Sequence, residues 1–136
     1  MFQSKRSVVL KTIAWGVMIS VISLAGLCAA AAQEAEKKTA CQNLVEYMRE
    51  ARKITREFAA SERVQRLFEL KRNYAEKLKH APDDARRAAA QWVAALNRAD
   101  HKIKSGKMED SAVFDVLRFR TRALSACGMK DEEAGF

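Results

Sequence analysis

Between residues 39 and 127 the apolar side chains recur at spacings of three and four, and no stretch alternates in the manner of a strand. The chain carries one proline, Pro82, and five glycines. Alanine, arginine, glutamate and leucine dominate the rest, so intrinsic propensity favours helix along most of its length. Leu44, Tyr47, Ala51, Ile54 and Phe58 form a first stripe; Val64, Leu67, Phe68, Tyr74 and Leu78 form a second. On one straight helix the second stripe is rotated by about 170° from the first, and coiled-coil drift recovers only about 60° of that. A corner at Ala59-Ala60-Ser61-Glu62, with Ser61 as N-cap and Glu62 in the first turn, gives two helices, about 40–59 and 62–79. One helix of about 40 residues touching different neighbours along its two halves is the competing reading, because the junction has neither glycine nor proline. The pattern favours two.

The remaining boundaries are punctuated. Residues 33–38 are a polar lead-in, and Thr39-Ala40-Cys41-Gln42 is a capping-box pattern that opens the first helix. Pro82 with Asp83 and Asp84 suits the start of a helix, whose apolar side is Ala85, Ala88, Trp92, Ala95, Leu96, Ala99 and Ile103. Ser105-Gly106 ends it. Asp110 or Ser111 caps the last helix, which offers Val113, Phe114, Leu117, Leu124 and Cys127 to the core before Gly128 terminates it. Residues 130–136 read as a frayed, disordered tail. The expected fold is all-α: a small antiparallel bundle of four helical segments, the first two possible as one long helix, closed by a disulfide.

The N-terminus has the pattern of a secretory signal peptide. Lys5, Arg6 and Lys11 precede an uncharged stretch over residues 12–32, and small residues follow its apolar centre. Ala30 and Ala32 satisfy the −3 and −1 positions for cleavage before Gln33, which divides the chain into a leader, 1–32, and one domain, 33–136. About 21 uncharged residues also suffice to span a bilayer as an uncleaved inner-membrane anchor. Leu24-Ala25-Gly26-Leu27-Cys28 resembles a lipoprotein signal, but leucine stands where a small residue is expected before the cysteine. A cleaved leader and a periplasmic location fit best. In an oxidising compartment Cys41 and Cys127 read as a disulfide, closing a loop worth on the order of 4 kcal/mol in chain entropy.

The chain's net charge is +8; outside the leader 22 basic residues face 17 acidic ones, a net of +5 with the signs interleaved. Nothing demands a reaction. There is no C-x-x-C-H haem attachment site, Met48 lacks a histidine opposite it in the last helix, and no cofactor is implied. His80 and His101 sit near helix ends without carboxylates or cysteines at ligand spacing, so no metal is expected. Asp83-Asp84 and Glu109-Asp110 fall where helices begin and serve the helix dipole. No nucleophile elbow or phosphate-binding glycine loop occurs, and the chain is not expected to be an enzyme. Nucleic acid is excluded by the compartment and by the lack of aromatic residues among the basic ones.

The nearest approach to a functional surface is Arg49, Arg52, Lys53 and Arg56, which share the face opposite the first apolar stripe. Glu46, Glu50 and Glu57 are close enough for exchange of i,i+4 pairs, the ordinary state of a solvated helix face. Arg120 interrupts the apolar side of the last helix, as a groove, a partner surface or a buried pair would require. The expected function is that of an exported binding protein acting on another envelope protein, as an adaptor, a chaperone-like factor or an inhibitor of an envelope enzyme. The alternative is attachment of the basic face to anionic lipid or polysaccharide.

Overall fold

The computed structural model describes residues 26–101, 106 and 111–136 in full, and only the helical backbone at 2–25, 102–104 and 110. The chain divides into two compact units, Met1–Ala35 and Glu36–Phe136. Among the described residues there are four helices and no strand: α1 Phe2–Glu57, α2 Ala60–Tyr74, α3 Asp83–Lys104 and α4 Asp110–Ala126. In the first unit every side chain from residue 26 to 35 is exposed, Leu27 and the free thiol of Cys28 included. Among the described residues no helix is long and apolar enough to cross a membrane. Most of the uncharged stretch over 12–32 lies outside them.

The second unit is the all-α bundle the periodicity predicts, closed by a disulfide between Cys41 in α1 and Cys127 just beyond α4, their Cα atoms 5.8 Å apart. The first apolar stripe faces inward: Leu44, Tyr47, Met48 and Ala51 are buried. They meet Tyr74 of α2, Ala85, Ala88, Ala89 and Trp92 of α3, and Ala123 of α4 in one cluster. The alanines of α3 let its backbone approach closely, and Trp92, 1 % exposed, occupies the space they leave. The start of α1 differs from expectation. Residues 33–38 are strong helix formers, so the helix runs through them and Thr39 and Gln42 are interior positions rather than a cap.

Residues 40–79 form two helices, and the corner lies slightly earlier than the sequence suggests. Phe58 still bonds back to Ile54, but Ala59 turns to an extended conformation (ψ 155°), and its carbonyl accepts from both Glu62 and Arg63. Ala59 is therefore the N-cap, without a side-chain cap, and Ser61 lies inside the first turn. The corner needs no glycine or proline because Arg63 holds it. Its guanidinium donates to the Phe58 carbonyl at 3.0 Å, occupying an acceptor that the end of α1 leaves open.

Burying Arg63 rotates α2. Arg63 and Tyr74 are buried and Leu67 and Leu70 pack against the core, whereas Val64 and Phe68 face outward, 62 % and 64 % exposed. The second stripe is thus only partly a core stripe. α2 also ends at Tyr74 rather than near 79, and Ala75, Lys79 and Ala81 bond three residues back, in tighter turns that lead to Pro82. On α4 the inward residues are Val116, Phe119, Ala123 and Leu124. Val113, Phe114 and Leu117, expected in the core, are exposed; Phe114 is turned about 160° from Val116 around the helix. The side chains of Ile103 and Asp110 lie outside those described, and Ser111 is exposed at the start of α4.

The last seven residues, expected as a frayed tail, fold back with Asp131, Ala134 and Phe136 turned toward the bundle and Lys130, Glu132, Glu133 and Gly135 exposed. Gly128, at φ +70°, closes α4 in a Schellman motif: Met129 bonds to the Leu124 carbonyl and Gly128 to that of Ser125. The same pattern recurs one turn later, with Phe136 bonded to Asp131 and Gly135, φ +71°, bonded to Glu132. Two such reversals fold the tail back on the bundle. Ala134 is 2 % exposed beside Val45 and Leu124, and Phe136 packs against the main core.

Candidate functional site

Helical spacing puts Arg49, Arg52, Lys53 and Arg56 on one face of α1, and the structure divides them. Arg49 donates to the carbonyl of Ala134. A Cβ at Gly135 would stand 3.0 Å from the flexible end of Arg49, so it is the φ of +71° that calls for glycine there. Arg52, half-buried, lies 5.9 Å from the ring centre of Phe136. Arg120 of α4 approaches the same ring at 5.6 Å. The ring also meets Trp92, edge-on at 5.7 Å. Lys53 and Arg56 remain exposed.

Arg120 resolves its own ambiguity here. It forms an ion pair with Asp131 at 3.0 Å, the side chains 18 % and 31 % exposed. Cations thus converge on this face from two helices. Burial, and then the neighbouring charges of Arg56 and Arg120, lower the proton affinity of Arg52. Like charges crowded in this way favour an anionic or aromatic occupant, and the chain's own tail supplies both in Asp131 and Phe136. Arg49, exposed, and Arg52, half-buried, thus both contact the tail.

Arg63 is the functional group that the sequence does not single out, one basic residue among several on α2. Arg63 is 1 % exposed. Besides the Phe58 carbonyl it donates to Asn97 Oδ1 at 3.1 Å and pairs with Asp100 at 2.7 Å, tying the corner between α1 and α2 to α3. Arg66 stays outside, its guanidinium 3.8 Å from the ring centre of Phe58. The only sequence signal was Asn97 and Asp100, one turn apart on α3. The indole N–H of Trp92 is buried without a hydrogen-bond partner among the described residues. His80 is half-exposed, 3.7 Å from Glu36, and His101 is exposed.

Exposed apolar groups are the other surface feature. Val64 and Phe68 stand one turn apart on α2, and Val113, Phe114 and Leu117 cluster in the first half of α4, at 43–69 % exposure. Among the described residues no group of three or more His, Cys, Asp or Glu side chains is placed to hold a metal ion. Comparison of the chain with protein-family models, with characterised proteins and with solved structures finds no match.

Proposed function

We propose that the chain is exported and acts as a non-enzymatic interaction protein of the cell envelope, binding another protein through the outward apolar side of α2 and the first half of α4. The observation that carries this reading is the inversion on α2. A fully buried arginine occupies the inward position, while Val64 and Phe68 next to it face solvent. Large apolar side chains left facing outward on the helices of a bundle are the usual mark of a protein interface. Export rests on the leader pattern, with Ala30 and Ala32 at the cleavage positions, and on the disulfide, which suits an oxidising compartment. The basic face of α1 is the weaker candidate, because Arg49 and Arg52 are engaged by the tail.

The test is photo-crosslinking within the envelope from the exposed position of Gln65, on the same side of α2. A discrete protein adduct is expected that persists at about 0.5 M salt, where interactions between exposed charges are screened. Phe68→Glu should eliminate it while leaving the unfolding midpoint unchanged. An adduct lost between low and moderate salt, or abolished by charge reversal at Arg56 alone, would overturn the apolar interface in favour of attachment through charge.

A further inference from the structure

A cleft of about 280 Å³ opens between α1, α2 with the turns that follow it, and the start of α3. Its lining is mostly apolar: buried Leu44 and Tyr47, half-buried Leu78 and, at its edge, exposed Ala90. Two cations complete it, Lys71 from α2 and Arg86 from α3, both exposed. Arg86 contacts Asp83 of its own helix, whereas among the described residues no carboxylate lies within ion-pair distance of Lys71. Unfilled apolar space of this size gives up dispersion contacts along its whole lining. Burial raises the pKa of the Tyr47 hydroxyl, which therefore stays a neutral hydrogen-bond donor at any physiological pH.

We propose that this cleft binds a single-chain amphipathic anion, its hydrocarbon chain against Leu44, Tyr47 and Leu78 and its charged head between Lys71 and Arg86. Volume sets the chain length. A dry apolar cavity of about 150 Å³ accepts benzene, so this cleft accepts about ten carbons. That excludes lipids that must bury two acyl chains. The paired cations exclude amphiphilic amines, whose head would meet like charge in a site with a low-dielectric wall. The shared chemistry of the head is a carboxylate or a phosphate ester. The proposal does not depend on the protein interface on α2 and α4, which lies on other residues.

Decanoate and decyl phosphate titrated into the disulfide-bonded chain, followed by calorimetry and by amide chemical shifts, test it. Saturable one-to-one binding is expected with Kd of about 10–100 μM, the strength that burying roughly eight methylenes supports after ordering costs. Shifts should map to residues around the cleft, and the tighter of the two ligands identifies the head. Lys71→Glu should weaken binding about tenfold, and Ala90→Trp, which fills the cleft from an exposed position, should abolish it. Unfolding midpoints of both variants confirm that the fold is kept. Decylamine binding as tightly as decanoate, unchanged binding in Ala90→Trp, or no saturation below about 1 mM would each overturn the proposal.

Discussion

Arg63 shows how one charged side chain can set the orientation of an entire helix. Its guanidinium has three partners on two segments, Phe58 at the end of α1 and Asn97 and Asp100 of α3, and it is fully buried among them. A buried ion of this kind is weak evidence for net stability, but removing one partner leaves the others desolvated and unpaired. Arg63→Met is expected to cost about 3 kcal/mol in urea unfolding, and Arg63→Lys nearly as much, because a point-charge ammonium cannot reach three acceptors at once. Arg66→Met, which loses only an exposed contact with Phe58, should cost less than about 1 kcal/mol. Equal losses at the two positions would mean that Arg63 is the solvated arginine its neighbours in sequence suggest. Nothing local distinguishes the two residues. Both follow a small helix-forming segment, both are three residues from the other, and the difference lies in partners 34 and 37 residues away.

At the scale of elements, the C-terminal segment is better described as a clasp than as a tail. Phe136 closes against Trp92, with Arg52 and Arg120 around its ring, and Asp131 pairs with Arg120. Phe136→Ala should lower stability by about 2 kcal/mol, shift the indole N–H resonance of Trp92 and speed amide exchange at Ala134 and Gly135. An unmoved Trp92 resonance would show that the segment frays as its composition suggests. The segment reads as disordered because it is short, acidic and ends without an apolar run. Its order comes from two glycine reversals, at Gly128 and Gly135, and the second is visible only with Arg49 in place to receive it. The helices themselves were more legible. The boundary at Pro82, the stop at Gly128 and the inward stripe of α1 follow from local chemistry. The outward turn of Val64, Phe68, Val113, Phe114 and Leu117 does not, since spacing defines a face and not which neighbour, if any, covers it.

For the whole molecule the disulfide is the largest single constraint, joining residues 86 apart in sequence. Cys41→Ala/Cys127→Ala is expected to lose about 4 kcal/mol, read as a lower urea midpoint, while keeping its helical circular dichroism. A midpoint unchanged by the double substitution would show that packing alone holds the two ends of the bundle. Helix content was determined by the sequence itself, because propensity, periodicity and capping act over a few residues; the pairing of Cys41 with Cys127 followed from their being the two cysteines outside the leader, and the break near residue 60 was favoured over one long helix. The tertiary structure alone decided that Arg63 is inside and Phe68 outside, that Arg49 and Arg52 contact the last residues, and that a cleft opens beside Lys71 and Arg86. Each depends on groups from separate helices meeting in low dielectric, where desolvation and long-range pairing outweigh the preference that any one helix expresses.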